Sequence, residues 1–296
     1  MVNLKAKFPG YQIQEAVPLA EFTNTQVGGP ADWVFWPQDL TALEDVLSVA
    51  QENNMPVTVL GNASNLVIGD EGLPGLVIFL THFTEVKVHN QLITAQAGSA
   101  LIAVTNAALK AQLSGIEWAA GIPGSVGGAV YMNAGAYGGQ VAEWLQSVTV
   151  LTPDLKIKTY QGTELEFGYR HSLIQETGDI ILDATFKLTL GQYAEIEAKM
   201  EDYNTRRASK QPLEYPSCGS TFKRPEGYYA GKLIMDAGLQ GYTIGGAQVS
   251  KKHAGFIVNV NHASAHEYIQ VIRHVQAVVQ EKFGVQLETE VRILGE

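Results

Sequence analysis

The sequence contains a single cysteine, Cys218, in 296 residues. No internal disulfide can form, so a small secreted scaffold stapled by such bridges is excluded. Positive charge is scarce too: 20 Lys and Arg stand against 30 Asp and Glu, a formal net charge of −10. A basic face that takes nucleic acid by its phosphates is therefore not expected. Long apolar runs are also missing. No stretch approaches the ~20 residues of a membrane span, and the opening MVNLKAKFPGYQIQEAVPLAEFTN has no apolar signal core. These absences predict a cytoplasmic globular protein without membrane insertion. Apolar residues are plentiful nonetheless, at 46%, enough for buried cores in the two or three domains that this length suggests. Glycine is in excess, 30 residues where about 7% is usual.

Along the chain, DWVFW, LTALEDVLSVAQENN and MPVTVLG read as strand, helix and strand. Thr41 and Glu44 form a capping box, and Leu43, Val46, Leu47 and Ala50 repeat at the spacing of one buried helical face. A hairpin is expected over residues 84–88 and 92–96, then a helix over 101–113 with Ser99 before it and Gly115 as its stop. Strands follow at 147–151, 155–160 and around Ala184 to Leu190. A charged helix begins at Tyr193 and ends near Ser209. Beyond QPLEYPSCGS lies a final α+β unit. It has a short helix ending at Gly238, a strand at 256–260, a helix capped by Ser264 and Glu267, and a strand over 287–294.

Two glycine-bearing loops stand out: Gly61-Asn62-Ala63-Ser64-Asn65 after a strand, and the run from Gly121 to Gly128. The second lies within GIEWAAGIPGSVGGAVYMNAGAYGGQ, whose Trp118, Ile122, Val126 and Val130 are too apolar for a linker. Such loops offer backbone N–H groups with no side chain in the way, which is how a chain cradles phosphates. An acidic protein that binds an anion needs fixed dipoles of this kind. Neither loop matches a P-loop or a Rossmann fingerprint. His262 and His266 lack the glutamate of H-E-x-x-H, and Ser264 as N-cap leaves His262 ahead of the helix, so no metal site is predicted. Read alone, the residues suggest a phosphate-bearing ligand in the glycine-rich half and leave the reaction open.

Seven segments narrow the choice. NTQVGGPAD, LGNASNLVIGDEGLPGLVI, GIEWAAGIPGSVGGAVYMNAGAYGG, FGYRHS, PSCGSTFKRPEG, AGKLIMDAGLQGYTIGGAQVSKKHAGFIVN and FGVQLETEVRILG occur in this order over nearly the whole chain. Together they resemble the UDP-N-acetylenolpyruvoylglucosamine reductase (UDP-N-acetylmuramate dehydrogenase) family, in its short, type II form. The resemblance implies an α+β chain: a two-subdomain FAD-binding fold of the vanillyl-alcohol oxidase-like (PCMH) type plus an α+β substrate-binding domain. It places the first flavin-binding subdomain at residues 1–80, with the strand near 287–296 packing back on it. The second is placed at 81–206 and the substrate domain at 207–286.

The resemblance further implies noncovalent FAD, NADPH as co-substrate, and UDP-N-acetylglucosamine enolpyruvate as the substrate reduced; no obligate protein partner is evident. By matching motif positions, Ser220 is the proton donor, and Arg170 and Glu290 polarise the enolpyruvyl carboxylate. Flavin contacts fall on Gly61, Asn62, Ala63, Ser64, Asn65, Gly121, Pro123, Gly124, Ser125, Gly127, Gly128, Asn133 and Gly135, and substrate contacts on Tyr169, Lys223 and Arg224. Three residues depart from the family pattern. Ala63 replaces a frequent glycine, Arg224 a frequent asparagine, and Cys218 a small residue, which leads us to expect a modifiable thiol within reach of the site.

Overall fold

The computed structural model describes residues 2–296. After a short helix α1 (Leu4–Lys7) and strand β1 (Gln12–Pro18), the expected strand, helix and strand appear as β2 (Pro30–Trp36), α2 (Leu40–Glu52) and β3 (Val57–Leu60). Beyond β4 (Leu66–Ile68) comes β5 (Leu73–Phe79), which inserts between β2 and β3 in a sheet of order β1-β2-β5-β3. It runs parallel to β3 in the register Val57↔Leu76 to Leu60↔Phe79. Leu43, Val46, Leu47 and Ala50 of α2 are buried as their spacing predicts. Its cap is not the expected one: Asp39, in extended backbone, accepts from the Ala42 amide at 2.8 Å, and Thr41 sits inside the first turn. A carboxylate answers the free amides and the positive end of the helix together, which favours Asp39 over the later threonine.

The chain divides into two compact units, each assembled from separated segments. The first takes the residues up to Gln14, then Val34–Asn62 and Leu76–Arg207. Its second sheet is antiparallel. It holds β6 (Val86–His89), β7 (Leu92–Gln96), β11 (Leu145–Leu151), β12 (Ile157–Gln161) and β13 (Ile180–Lys187), in the order β12-β11-β13-β7-β6. Helices α3 (Leu101–Lys110) and α4 (Val126–Tyr131) pack on it. The expected helix over 101–113 is three residues too long. Leu113-Ser114 leaves it as a short strand, β8, that pairs with Thr189-Leu190, β14. Ser99 does not cap it; its hydroxyl donates to the Glu85 carbonyl at 3.4 Å. A small ribbon of β9 (Gly135–Ala136) and β10 (Gly139–Gln140), a short helix α5 (Ile174–Thr177) and the long helix α6 (Tyr193–Lys210) complete this unit.

The second unit takes Glu15–Trp33, Ala63–Gly75 and Ala208–Glu296. Strands β15 (Ser217–Ser220), β16 (Thr243–Ile244), β17 (Ala247–Val249) and β18 (Phe256–Asn259) form an antiparallel sheet of order β15-β18-β17-β16. Helix α7 (Ala230–Asp236) packs on helix α8 (Ala265–Phe283), which lies across the sheet with Tyr268, Ile272, Val275 and Val279 buried. Burying side chains of this size contributes roughly 1.5–3 kcal/mol each. The capping box of Ser264 and Glu267 forms as expected, and Gly284, at φ 68°, ends the helix. Asp70 adds a second anchor, its two carboxylate oxygens accepting from the Ala265 and His266 amides at 2.8 Å each. The last strand, β19 (Arg292–Leu294), is shorter than expected and runs parallel to β4. Among the described residues, no helix is long and apolar enough to cross a membrane.

Candidate active site

In the first unit the two glycine-rich stretches meet. The Asn62 side-chain amide donates to the Pro123 carbonyl at 2.9 Å, and Gly61 lies so close to Ser125 that a Cβ there would come within 2.1 Å of its hydroxyl oxygen. Ser125 is the N-cap of α4, its hydroxyl accepting from the Gly128 amide at 3.3 Å. The Gly124 carbonyl and Gly127 amide are bound by Leu101 and Ala97, which fixes the curve of the second loop. Gly121 faces α6, where a Cβ would lie 2.5 Å from Asn204 Oδ1 and 2.7 Å from Arg207 Nε. The indole N–H of Trp118, in the same segment, is buried without a partner. A cradle whose glycines leave no room for side chains fits a dinucleotide diphosphate held by backbone groups.

Asn133 and Gly135 follow in the same unit. Asn133 is 2% exposed, and the protein satisfies its side chain: Nδ2 donates to the Gly168 carbonyl at 2.9 Å and to Gln140 Oε1 at 3.2 Å, and Oδ1 accepts from the Ala142 amide at 3.0 Å. The Gly135 carbonyl accepts from Arg170 Nη2 at 3.1 Å. Arg170 sits at φ 58°, a left-handed conformation that costs an L-residue energy, with its guanidinium 4.9 Å from the centre of the half-exposed Tyr169 ring.

The second unit brings Ser220 and Glu290 together. Strand β15 pairs with β18 through Ser217↔Val258 and Ser220↔Phe256, with a bulge between, where Gly219 takes φ 77°. The bulge re-aims the strand so that Ser220 is exposed. The next residue, Thr221, accepts from the Glu290 amide at 2.8 Å, Phe222 bridges Thr289, and the Lys223 amide donates to the Glu288 carbonyl at 2.9 Å. This short ladder sets the segment of Glu290 beside that of Ser220. Asn65 secures it from the far side, its side-chain amide donating to the Glu290 carbonyl at 3.1 Å and its own carbonyl accepting from Arg292 at 3.1 Å. Ala63, two residues before, is buried at φ 42°, a left-handed conformation that costs an L-residue energy. Lys223 pairs with Glu288 at 3.1 Å, and the Arg224 guanidinium lies 4.0 Å over the Tyr229 ring.

Cys218 corrects an expectation. It is 3% exposed, its sulfur 3.4 Å from the Tyr268 hydroxyl, which itself donates to the Ile257 carbonyl. Burial pushes the thiol up to about 11, so little nucleophilic thiolate exists near neutral pH. The bulge is the physical reason. In a regular strand Cys218 and Ser220 would share a face, whereas here one points into the core and the other to solvent.

Comparison with known proteins fixes the family. The chain is 57% identical over 295 residues to UDP-N-acetylenolpyruvoylglucosamine reductase of Limosilactobacillus reuteri, covering all of this chain and 99% of that one. The chain belongs to the UDP-N-acetylenolpyruvoylglucosamine reductase family. The reductase of Lactiplantibacillus plantarum is 55% identical over 294 residues, covering 99% and 97% of the two chains. Residues 211–294 match the family model of the reductase C-terminal domain, and residues 31–160 match that of an FAD binding domain. The crystal structure of the reductase from Thermus caldophilus superposes with a TM-score of 0.83 at 35% identity, over 96% of this chain and 99% of that one. The fold is thus the expected α+β, FAD-binding architecture with a substrate domain, and the protein is an FAD-dependent oxidoreductase of this reductase family. Reading the sequence did not single out Asp70, Thr221 or the Tyr137–Tyr203 pair, since each acts through a fold contact that leaves no local motif.

Proposed function

We propose that this enzyme reduces UDP-N-acetylglucosamine enolpyruvate to UDP-N-acetylmuramate with NADPH as reductant, in the cytoplasm, and that Ser220, Arg170 and Glu290 carry the substrate half of the reaction. Residues up to 206 would hold the flavin and 207–286 the substrate, with Gly61, Asn62 and the Gly121–Gly128 run on the diphosphate. FAD bound there would supply two-electron hydride chemistry between NADPH and the substrate. Hydride arriving at the vinyl terminus leaves an electron pair spread over the α carbon and the carboxylate. Arg170, a fixed cation, lowers the energy of that charge, and the carboxyl group of Glu290 donates a hydrogen bond to it. Ser220 gives its hydroxyl proton to the α carbon, completing the lactyl ether. A serine hydroxyl is a weak acid, so its oxygen must be hydrogen-bonded as it loses the proton and must regain one from solvent. Lys223, Arg224 and Tyr169 are assigned to the nucleotide-sugar.

The observation that carries this reading is the bulge at Gly219. It exposes Ser220 next to the segment that bears Glu290, as a proton donor beside a hydrogen-bond donor requires. The test separates the half-reactions by rapid mixing. Ser220→Ala is expected to keep FAD, to be bleached by NADPH at the parent rate, and to be reoxidised by substrate roughly 10²–10⁴-fold more slowly. Equal reoxidation rates in variant and parent would remove Ser220 from the role.

A further inference from the structure

The β9–β10 ribbon is tied to the Arg170 segment at two points. Gly135 accepts from the guanidinium, and Asn133, just before the ribbon, holds Gly168 while also binding Gln140 and Ala142. The register Gly139↔Ala136 leaves Tyr137 and Gly138 as a two-residue turn, at φ 54° and 90°. Such turns favour asparagine or glycine at the first position, and a tyrosine there is strained. Its ring explains the choice. Tyr137 stacks on Tyr203 of α6 with centroids 4.8 Å apart and planes 15° from parallel, while Arg207, one turn on, lies 5.8 Å from the same ring. Arg207 Nε is buried without a hydrogen-bond acceptor, so its placement owes more to packing than to a fixed partner. Behind the ribbon, a Cβ on Gly139 would come within 2.3 Å of Trp118 Cδ1, so the turn cannot move back.

We propose that Tyr203 is a positioning residue for Arg170: by clasping Tyr137 at the ribbon tip, it fixes the Gly135 carbonyl that orients the Arg170 guanidinium. The proposal rests on the reading of Arg170 as the cation that meets the developing carboxylate charge. Small displacements of such a group cost rate out of proportion to their size, so the clasp governs the substrate half-reaction without touching substrate.

The test is a double-mutant cycle on the FAD-loaded enzyme, read by rapid mixing and by amide hydrogen exchange of residues 134–141. Arg170→Ala is expected to slow reoxidation by substrate at least a hundredfold. Tyr203→Ala should slow it about tenfold with bleaching by NADPH unchanged, and should speed exchange in the ribbon. Tyr203→Phe, which keeps the stacked ring, should restore both. In the Arg170→Ala background, Tyr203→Ala should change reoxidation by less than about twofold, because the group it positions is gone. A tenfold loss in both backgrounds would overturn the proposal, as would faster exchange with no loss of rate. If Arg170→Ala itself reoxidised normally, the assigned role of Arg170 would fall, and the clasp with it. Tyr203→Leu, which keeps bulk on the helix, takes the place of the alanine variant should that fail to fold.

Discussion

The cradle around Gly61 is shaped by missing atoms, whereas the segment around Ser220 is shaped by side chains that one glycine aims. In the first, Gly61 meets Ser125 and Gly121 meets α6, so any added carbon collides. In the second, Gly219 has open space around it and contributes only its left-handed backbone, while Ser220 and Glu290 are the side chains proposed to supply the chemistry. The two regions should therefore fail in opposite ways: the cradle by addition, with loss of cofactor, and the bulged strand by subtraction, with loss of turnover.

The largest effect that would sharpen this contrast is expected at Glu290. Glu290→Ala removes the hydrogen-bond donor itself, and reduction of substrate should drop by roughly 10²–10³-fold while FAD stays bound. Loss of flavin from this variant, seen as colour released on gel filtration, would erase the distinction between the two regions. Next comes Gly61→Ala, where overpacking costs about 1–3 kcal/mol, or roughly five- to 150-fold in FAD affinity. Pairing it with Ser125→Ala, which removes the hydroxyl that the new methyl strikes, should recover part of the loss. Reconstitution of the apoprotein followed by flavin fluorescence measures both.

A smaller effect concerns pH. Burial pushes His253 below its ordinary range, and its Nδ1 accepts from the Gly255 amide at 3.1 Å, a bond that needs the neutral ring. The unfolded chain takes up this proton more readily than the folded one. The stabilising contribution is thus fully present above the ordinary value of 6.5 and is lost as pH falls through the lower folded value. His253→Asn, which retains an acceptor but cannot titrate, should make the melting temperature less sensitive to acid between neutrality and pH 5. An unchanged acid slope would show that other groups dominate. The smallest effect is expected at Ala63→Gly. Relief of the left-handed strain, on the order of 1 kcal/mol, is offset by the 0.4–1 kcal/mol that glycine returns to the unfolded chain, so denaturation should shift by less than about 0.5 kcal/mol.

What the sequence conveyed follows the range of its signals. The capping box of α8 and the apolar stripe of α2 are local, and both appeared as written. The cap of α2 was misplaced because Asp39 and Thr41 are both good capping residues and only the backbone at Asp39 decides between them. Helix α3 ends early because Leu113 and Ser114 are claimed by Thr189 and Leu190, a pairing that lies far outside any window of periodicity. The same holds at the site. The glycines that make the cradle were visible as glycines, but that Gly61 faces Ser125 was not. Cys218 was misread because nearness to Ser220 in the sequence does not carry over to nearness to the site, and the bulge between them sends the two side chains to different sides.

The pairing of β19 with β4 joins the far end of the sequence to a strand laid down near its start. During synthesis the first unit has its strands and helices in hand before α8 and β19 leave the ribosome, because N-terminal segments fold first. Until then β4 presents an unsatisfied row of backbone groups, the kind of open edge that invites pairing with another chain. A prematurely terminated product would keep that edge permanently and would also lack Glu290. The final strand therefore closes an open edge in the same event that brings in Glu290, so a truncated chain would lack the residue proposed for the substrate half-reaction and keep a surface open to mispairing.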